Sequence, residues 1–409
     1  MTQLCVLYRY MEAPAGVGYS YSTNPADYNT NDFITADDNY HALQNFFTEK
    51  FPELASNAFL VSGESYGGIY VPTLTVRILH GNSAGSGQSI NLKGFVVGNG
   101  VNEFNTNSLI EYVYYHGFIG SALWKTLQSN CDGQYANPPN AACATAVNQA
   151  SDVVYNGGLN FYGWNLECHD NSPGMNEKMR RSAEELFPGL QLPAKQQALA
   201  REHMLAPSLT AITAATGNLE MNVPCINSTA GTIYLNRADV RAALHIPAGL
   251  PDWGICTTQV NYTKTVHDIT PYWSKAIEAG VHFTNYAGDT DMACNFLGNE
   301  QALASLNLTL DKPTAPWHVD HQVAGFFTAY TEGADFWTVK GSGHMVPQFR
   351  PQEAEVMFRT ALQRSGAAAP NPNSDDQVDD AGQNQDDLEG TPLSLRGKRQ
   401  LLDDGDDHY

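Results

Sequence analysis

Three stretches of this chain hold side chains that together could make and break an acyl bond. Ser65 stands in Gly63-Glu64-Ser65-Tyr66-Gly67. Asp289 and Asp291 stand in Gly288-Asp289-Thr290-Asp291-Met292-Ala293-Cys294-Asn295, and His344 in Gly341-Ser342-Gly343-His344-Met345-Val346-Pro347. A serine hydroxyl is inert until a base takes its proton, and an imidazole serves as that base when a carboxylate orients it. Each stretch alone is weak evidence. Gly-x-Ser-x-Gly arises often by chance, and a lone loop histidine is usually a surface residue. Their order, serine then acid then histidine, each after an apolar run, is what points to nucleophilic acyl transfer. Order alone leaves the choice between Asp289 and Asp291 open. Glu64 has no role in plain ester hydrolysis, and a solvated charge is its bland reading.

The elements that must position these groups can be traced from apolar patterning. Ala58 to Val61 reads as a buried strand and Ile69 to Leu79 as a packed helix, despite Pro72 in its first turns. A serine between them sits on a turn so tight that its backbone is strained, and only glycine at the flanking positions 63 and 67 lets strand and helix approach closely enough. The helix N-terminus then aims free N–H groups at the same spot. This strand–serine–helix turn is the nucleophile elbow of the α/β-hydrolase fold. Further strands are expected at Leu4–Tyr10, Ile90–Val97, Val281–Ala287 and Ala334–Val339, and helices at Asp37–Phe51, Arg237–His245, Thr270–Ala279 and Pro351–Arg364. Strand–helix–strand order predicts a parallel sheet. Between Asn102 and Val223 the pattern changes, with helices expected at Tyr112–Leu127 and Glu177–Leu205 between Cys- and Pro-containing loops. The expected layout is therefore α/β. Core residues 1–101 and 230–365 are split by a mainly helical cap over 102–229, and an acidic disordered tail follows over 366–409. Lys398-Arg399 in that tail reads as a solvated basic pair rather than a processing site.

The formal net charge is −21, and the body stays acidic without the tail, which argues against nucleic acid as a partner. No apolar run approaches the roughly 18–20 residues of a membrane span. The start, Met1 to Arg9, lacks the features of a signal peptide, yet the interior looks secretory. Asn227-Ser228-Thr229, Asn261-Tyr262-Thr263 and Asn307-Leu308-Thr309 are glycosylation sequons, and the 7 cysteines suit an oxidising compartment. The mismatch suggests a missing N-terminal portion. The histidines and cysteines show no metal-ligand spacing, so no metal and no organic cofactor is expected.

Glu12 to Ser22, the Gly-Glu-Ser-Tyr-Gly-Gly run, Gly288 to Asn295 and Gly341 to Pro347 jointly resemble the serine carboxypeptidases. Residues 6 to about 364 look most like the lysosomal cathepsin A (protective protein) branch. The resemblance implies Ser65 as nucleophile, His344 as general base and Asp291 as orienting carboxylate, because the family's aspartate stands three residues before the cysteine of Asp-x-x-Cys-Asn. Asp289 is then structural. It further implies that Glu64 binds the free C-terminal carboxyl of a peptide, that the Tyr66 backbone N–H is one oxyanion donor, and that Cys294 and Met345 lie near substrate pockets. By the same comparison Cys131 pairs with Cys143 and Cys168 with Cys225. Cys294 stays a thiol, and Cys256 resembles a cysteine whose partner lies further N-terminal, with Cys5 a poor substitute. A homodimer, a glycosidase partner, and a lysosomal or extracellular location are also implied.

The family's usual first strands, and an Asn-Gly-Gly-Pro-Gly-Cys-Ser-Ser loop, do not precede Met1 in this sequence. That loop would give the second oxyanion N–H, a carboxyl-binding asparagine and the partner of Cys256. Losing one oxyanion donor costs about a hundred- to a thousandfold in rate. Three expectations follow: a serine carboxypeptidase acting at acid pH, an esterase or acyltransferase on the same scaffold, or a catalytically impaired binding and protective protein.

Overall fold

In the computed structural model, which describes residues 8–168, 225 and 228–369, two small elements precede the main sheet. Strand β1 (Asn29–Asn31) runs straight into helix α1 (Asp32–Asn45). The Asn31 side chain accepts hydrogen bonds from the Phe33 and Ile34 N–H groups, and Asp32 lies in the first turn, where the helix dipole favours an anion. The turn then widens over Phe46–Lys50 before Pro52. Strand β2 (Phe59–Glu64) and helix α2 (Gly67–Ala84) flank Ser65, and strand β3 (Leu92–Gly98) follows. Pro72 lies inside α2, and Gly85 ends it in the left-handed conformation that glycine adopts without strain.

Helices α3 (Asn105–Tyr115), α4 (Ser121–Cys131) and α5 (Ala141–Asn156) come next, then α6 (Thr229–Leu235) and α7 (Ala238–Ala243). Strand β4 (Asn261–Thr263) pairs in parallel with β1. The rest alternates as α8 (Thr270–Glu278), β5 (His282–Gly288), α9 (Phe296–Ala304), β6 (Leu310–Val319), β7 (Gln322–Tyr330), β8 (Ala334–Val339), α10 (Val346–Phe349) and α11 (Pro351–Arg364).

Among the described residues the main sheet has six strands in the order β2-β3-β5-β8-β7-β6. The first four run parallel, and β8, β7 and β6 run antiparallel. Every residue of β5 is buried, as a central parallel strand covered on both faces requires. On one face, Phe95 and Phe283 stack at 4.3 Å in a core shared with Tyr40 of α1, Ile78 of α2 and Trp273 of α8. On the other, Val96, Tyr286, Trp317 and Trp337 pack against Met357 of α11. A third core joins α3, α4 and α5 and reaches Met292 and Ala293, in the loop after β5. The Cys131–Cys143 bridge ties the end of α4 to α5, and Cys168 is joined to Cys225. No helix among the described residues is long and apolar enough to cross a membrane.

Several expectations need correction. The sheet is mixed, not parallel, because β6 and β7 form an unforeseen hairpin. Its two-residue turn is Asp320-His321, both at positive φ, in place of the usual Asn-Gly signal. Pro313 and Pro316 disguise β6, and such prolines fit only an edge strand. The single helix over Tyr112–Leu127 is two. Gly117 takes φ +75°, and Phe118 N–H reaches back to Val113 O, closing α3. Helix α1 begins five residues before Asp37 and ends at Asn45. Tyr8–Tyr10 belong to no strand. Leu4–Leu7, Cys5, Asn227, the Glu177–Leu205 helix and the tail from residue 370, with Lys398-Arg399, lie outside the described residues.

The elbow depends on a close approach of α2 to the turn after β3. A Cβ on Gly68 would lie 2.3 Å from Val101 O and 2.5 Å from Val101 N. Both are backbone atoms that cannot rotate away. Gly68→Ala is therefore expected to destabilise the fold by about 3 kcal/mol, read as a lower denaturation midpoint. An unchanged midpoint would show that the elbow has room this packing denies.

Candidate active site

The parallel strands β2, β3, β5 and β8 all deliver their C-terminal ends to one edge of the sheet, and each is followed by a polar residue with a place there. After β2 comes Ser65 at φ +62°, a conformation that costs a non-glycine residue energy and is kept only when neighbours fix it. Here Ser65 N–H donates to Gly98 O at 3.1 Å, and Ser65 O accepts from Val101 N–H at 2.8 Å and Gly68 N–H at 2.8 Å. Tyr66 caps α2, so its N–H belongs to the free N-terminal end of that helix.

Asp291, fully buried, is held by four donors. His344 Nδ1 lies 2.7 Å from its Oδ2. Asn99 Nδ2 donates to the same oxygen at 2.8 Å and Cys294 N–H at 3.1 Å, while Ala293 N–H donates to Oδ1 at 2.9 Å. Asp289 points elsewhere. Its Oδ1 accepts from Gly341 N–H at 2.6 Å, Asp289 N–H donates to Val339 O, and Thr290 N–H donates to Ser342 O. These bonds join the acidic loop to the histidine loop. The structure thus brings Asp291, not Asp289, onto His344. The glycines around His344 follow from the same closeness, since a Cβ on Gly343 would meet Tyr162 O at 2.2 Å and one on Gly288 would meet Gly343 O at 2.2 Å. His344 N–H donates to Tyr162 O at 2.7 Å, and the two rings are 5.1 Å apart.

Burial tends to lower the His344 pKa, but the Asp291 charge and hydrogen bond outweigh it and hold the imidazole above its ordinary value. Glu64, half-buried at the end of β2, is pushed up to about 7, mainly by burial. His344 pulls its carboxyl down and Asp291 pushes it up, so Glu64 shares one electrostatic site with both. The Cys294 thiol is fully buried and raised well above its usual value by burial, then by Asp291 and Glu64. Met345 is half-buried and heads α10. Asn261 and Asn307 are exposed, and Cys256 lies at the surface. No cluster of three or more metal-ligating side chains occurs among the described residues.

Two residues at this site escaped the reading of the sequence. Asn99, fully buried at φ +40°, bridges the loops, with Oδ1 accepting from Gly288 N–H at 3.0 Å while Nδ2 holds Asp291. Its signal is there in Gly98-Asn99-Gly100, a glycine-flanked amide closing a parallel strand. Tyr162 has no such signal, because it comes from the segment after α5.

Comparison with known proteins agrees with this architecture. A family model described as serine carboxypeptidase matches residues 6–364. The lysosomal protective protein of Mus musculus is 36% identical over 371 residues, covering 87% of this chain and 74% of that protein. Serine carboxypeptidase ctsa-4.1 of Caenorhabditis elegans is 36% identical over 381 residues, covering 88% and 75%. Serine carboxypeptidase 1 of Hordeum vulgare is 33% identical over 360 residues, covering 85% and 72%. Among solved structures, Kex1(Δ)p, a prohormone-processing carboxypeptidase from Saccharomyces cerevisiae, superposes with a TM-score of 0.57 at 18% identity, covering 87% of this chain and 72% of that one. That likeness carries the α/β-hydrolase fold. A family-model match over residues 6–364, together with relatives matched over more than two thirds of their length, places the chain in the serine carboxypeptidase family.

Proposed function

We propose that this protein is a serine-type carboxypeptidase that releases C-terminal residues from peptides through an acyl-enzyme on Ser65, on the acid side of neutrality. The observation that carries the reading is the half-buried Glu64 carboxyl beside the elbow serine, in the field of the Asp291–His344 pair. With Nδ1–H engaged by Asp291, the Nε2 of His344 is the nitrogen left to take the Ser65 proton. Ser65 Oγ attacks the last peptide carbonyl, and the Tyr66 N–H at the head of α2 stabilises the oxyanion. His344 returns the proton to the departing amine. Water then attacks the acyl-serine, with His344 again as base. Met345, half-buried next to His344, flanks the substrate's side chains, and the fully buried Cys294 instead supports Asp291 through its N–H.

Glu64 gives the specificity for a free C-terminus. Two carboxyl groups share a hydrogen bond only when one carries a proton. With its pKa near 7, Glu64 is a neutral donor below that pH and a repelling anion above it. Substrate binding therefore weakens as pH rises through neutrality, while protonation of His344 removes the base on the acid side. One proton divides between these coupled groups, so the two limbs of the profile belong to the pair.

Hydrolysis of blocked dipeptides with free and with amidated C-termini, over about pH 5 to 9, tests this. Cleavage of the free acid alone, with KM rising above neutral pH, is expected. Glu64→Gln keeps a donor that never ionises, so its KM stays flat over the alkaline range, where the parent's rises about tenfold per pH unit. Equal cleavage of the amide would favour an esterase or acyltransferase. An unreactive Ser65 would favour a binding or protective role, for which capture of a glycosidase or a second copy is the assay. The two disulfides and the exposed Asn261 and Asn307 sequons support a lysosomal or extracellular location.

A further inference from the structure

Asp32 is fully buried and stands 33 residues before the elbow serine in sequence. A carboxylate of this kind persists in a core only when its oxygens are saturated with donors. Five converge on it. Tyr66 OH donates to Oδ1 at 2.8 Å and Tyr262 OH donates to the same oxygen at 2.9 Å. Thr265 N–H (2.5 Å), Thr265 Oγ1 (3.0 Å) and Val266 N–H (2.8 Å) take Oδ2. Burial would raise the carboxyl's pKa, but the two backbone N–H groups and the tyrosine hydroxyls outweigh it and hold Asp32 as an anion.

Tyr66 is the residue after the nucleophile. Its ring is also walled by Tyr262, edge-on at 5.8 Å, and by Tyr70 at 6.0 Å. The Cα end of Tyr66 follows the strained Ser65, and its hydroxyl end is fixed to a carboxylate that Tyr262 of β4 and Thr265 and Val266 just after it also hold. The Ser65–Tyr66 peptide is held on one side through Ser65 O and the Tyr66 ring on the other through its hydroxyl, so the Cα between them, and the planar peptide N–H attached to it, keep one direction. We infer that Asp32 is a positioning residue, which through the Tyr66 hydroxyl fixes the direction of the Tyr66 N–H toward the oxyanion and so acts on the transition state rather than on substrate binding. Asp32 touches no reacting atom. The inference rests on the acyl-transfer reading of Ser65.

The physical reason to expect a rate effect is geometric. Stabilisation of an oxyanion depends on a donor already aimed where charge develops, and a displacement of about 1 Å in such a group can cost about a hundredfold. A structural role alone would lower stability without changing turnover per correctly folded site.

Tyr66→Phe removes only the tie. The Asp32 carboxylate keeps four donors, so the variant is expected to fold. Asp32→Asn keeps the shape but loses the charge, and the double variant completes a cycle. The assay is hydrolysis of a free-acid dipeptide, normalised to sites titrated by a fluorophosphonate, with the thermal midpoint measured alongside. Expected are a fall in kcat of roughly 10- to 100-fold for Tyr66→Phe, with KM within about twofold. The double variant should be no slower than Tyr66→Phe alone, because both changes cut one linkage. If the parent hydrolyses the substrate and Tyr66→Phe keeps full kcat per titrated site, the positioning role is overturned whatever the midpoint does. Multiplying losses in the double variant would overturn it too. If the parent neither cleaves nor labels at Ser65, the acyl-transfer reading itself fails, and the inference falls with it.

Discussion

Replacing Ser65 by alanine is expected to lower kcat by about 10⁵- to 10⁶-fold and to abolish labelling by a fluorophosphonate, with the fold retained. The size of the effect follows from the covalent mechanism proposed above: without the hydroxyl no acyl-enzyme forms, and Asp291 and His344 would have nothing to activate. The residual rate is what the Tyr66 N–H and substrate binding supply. Retention of fold follows from the backbone. The φ of +62° at residue 65 is imposed by bonds from Ser65 N–H to Gly98 O and to Ser65 O from Val101 and Gly68, none of which uses the side chain. Alanine inherits the same strain. Single-turnover kinetics and a thermal melt check both halves. A rate within tenfold of the parent's would remove Ser65 from the reaction.

The second large effect is expected at Asp291→Asn, a loss of about 10⁴ in kcat. Four groups approach this carboxylate, and in the parent all four are donors: His344 Nδ1, Asn99 Nδ2 and Cys294 N–H at one oxygen, Ala293 N–H at the other. An amide cannot satisfy both positions. If its NH₂ takes the place of Oδ2, it faces two fixed donors and drives His344 to the tautomer protonated at Nε2, which cannot accept the serine proton. If its carbonyl takes that place, the NH₂ confronts Ala293 N–H and one buried donor is left unpaired. A low-field imidazole Nδ1–H proton resonance, present in the parent and lost in the variant, would identify the first case. A variant within tenfold of the parent would mean that Asp291 neither orients nor charges His344. The contrast is Asp289→Asn, since the Asp289 side chain meets backbone N–H groups such as that of Gly341 rather than an imidazole, and an amide oxygen can accept such bonds.

The parts of this protein that sequence discloses are those where chemistry and local backbone demand agree. Ser65 between glycines, after an apolar strand and before a helix, announces an elbow because little else satisfies that combination. Pro351 to Arg364 matches its helix at both ends, because a first-turn proline and a periodic apolar face mark it. The β6–β7 hairpin stayed hidden because its turn uses Asp320-His321 and its edge strand carries prolines, so two local signals contradicted the tertiary outcome. Asn99 and Asp32 show a different limit. Each is a buried polar group whose meaning lies in partners nearly two hundred or more residues away, and local pattern is silent about convergence. The Asp289–Asp291 choice could be made only by resemblance, and in the structure it comes down to which carboxylate faces an imidazole and which faces a backbone N–H.

The stitching of the acidic loop to the histidine loop has a consequence for how the protein opens. Asp289 N–H, Thr290 N–H, Gly341 N–H and His344 N–H all point into one another's loops or into Tyr162, so none can be exposed to solvent without releasing the rest. In hydrogen–deuterium exchange these amides should therefore behave as one cooperative unit, with a shared opening free energy. Asp289→Ala should speed their exchange together, and partial denaturation should remove acid and base in a single step rather than leave one of them in place.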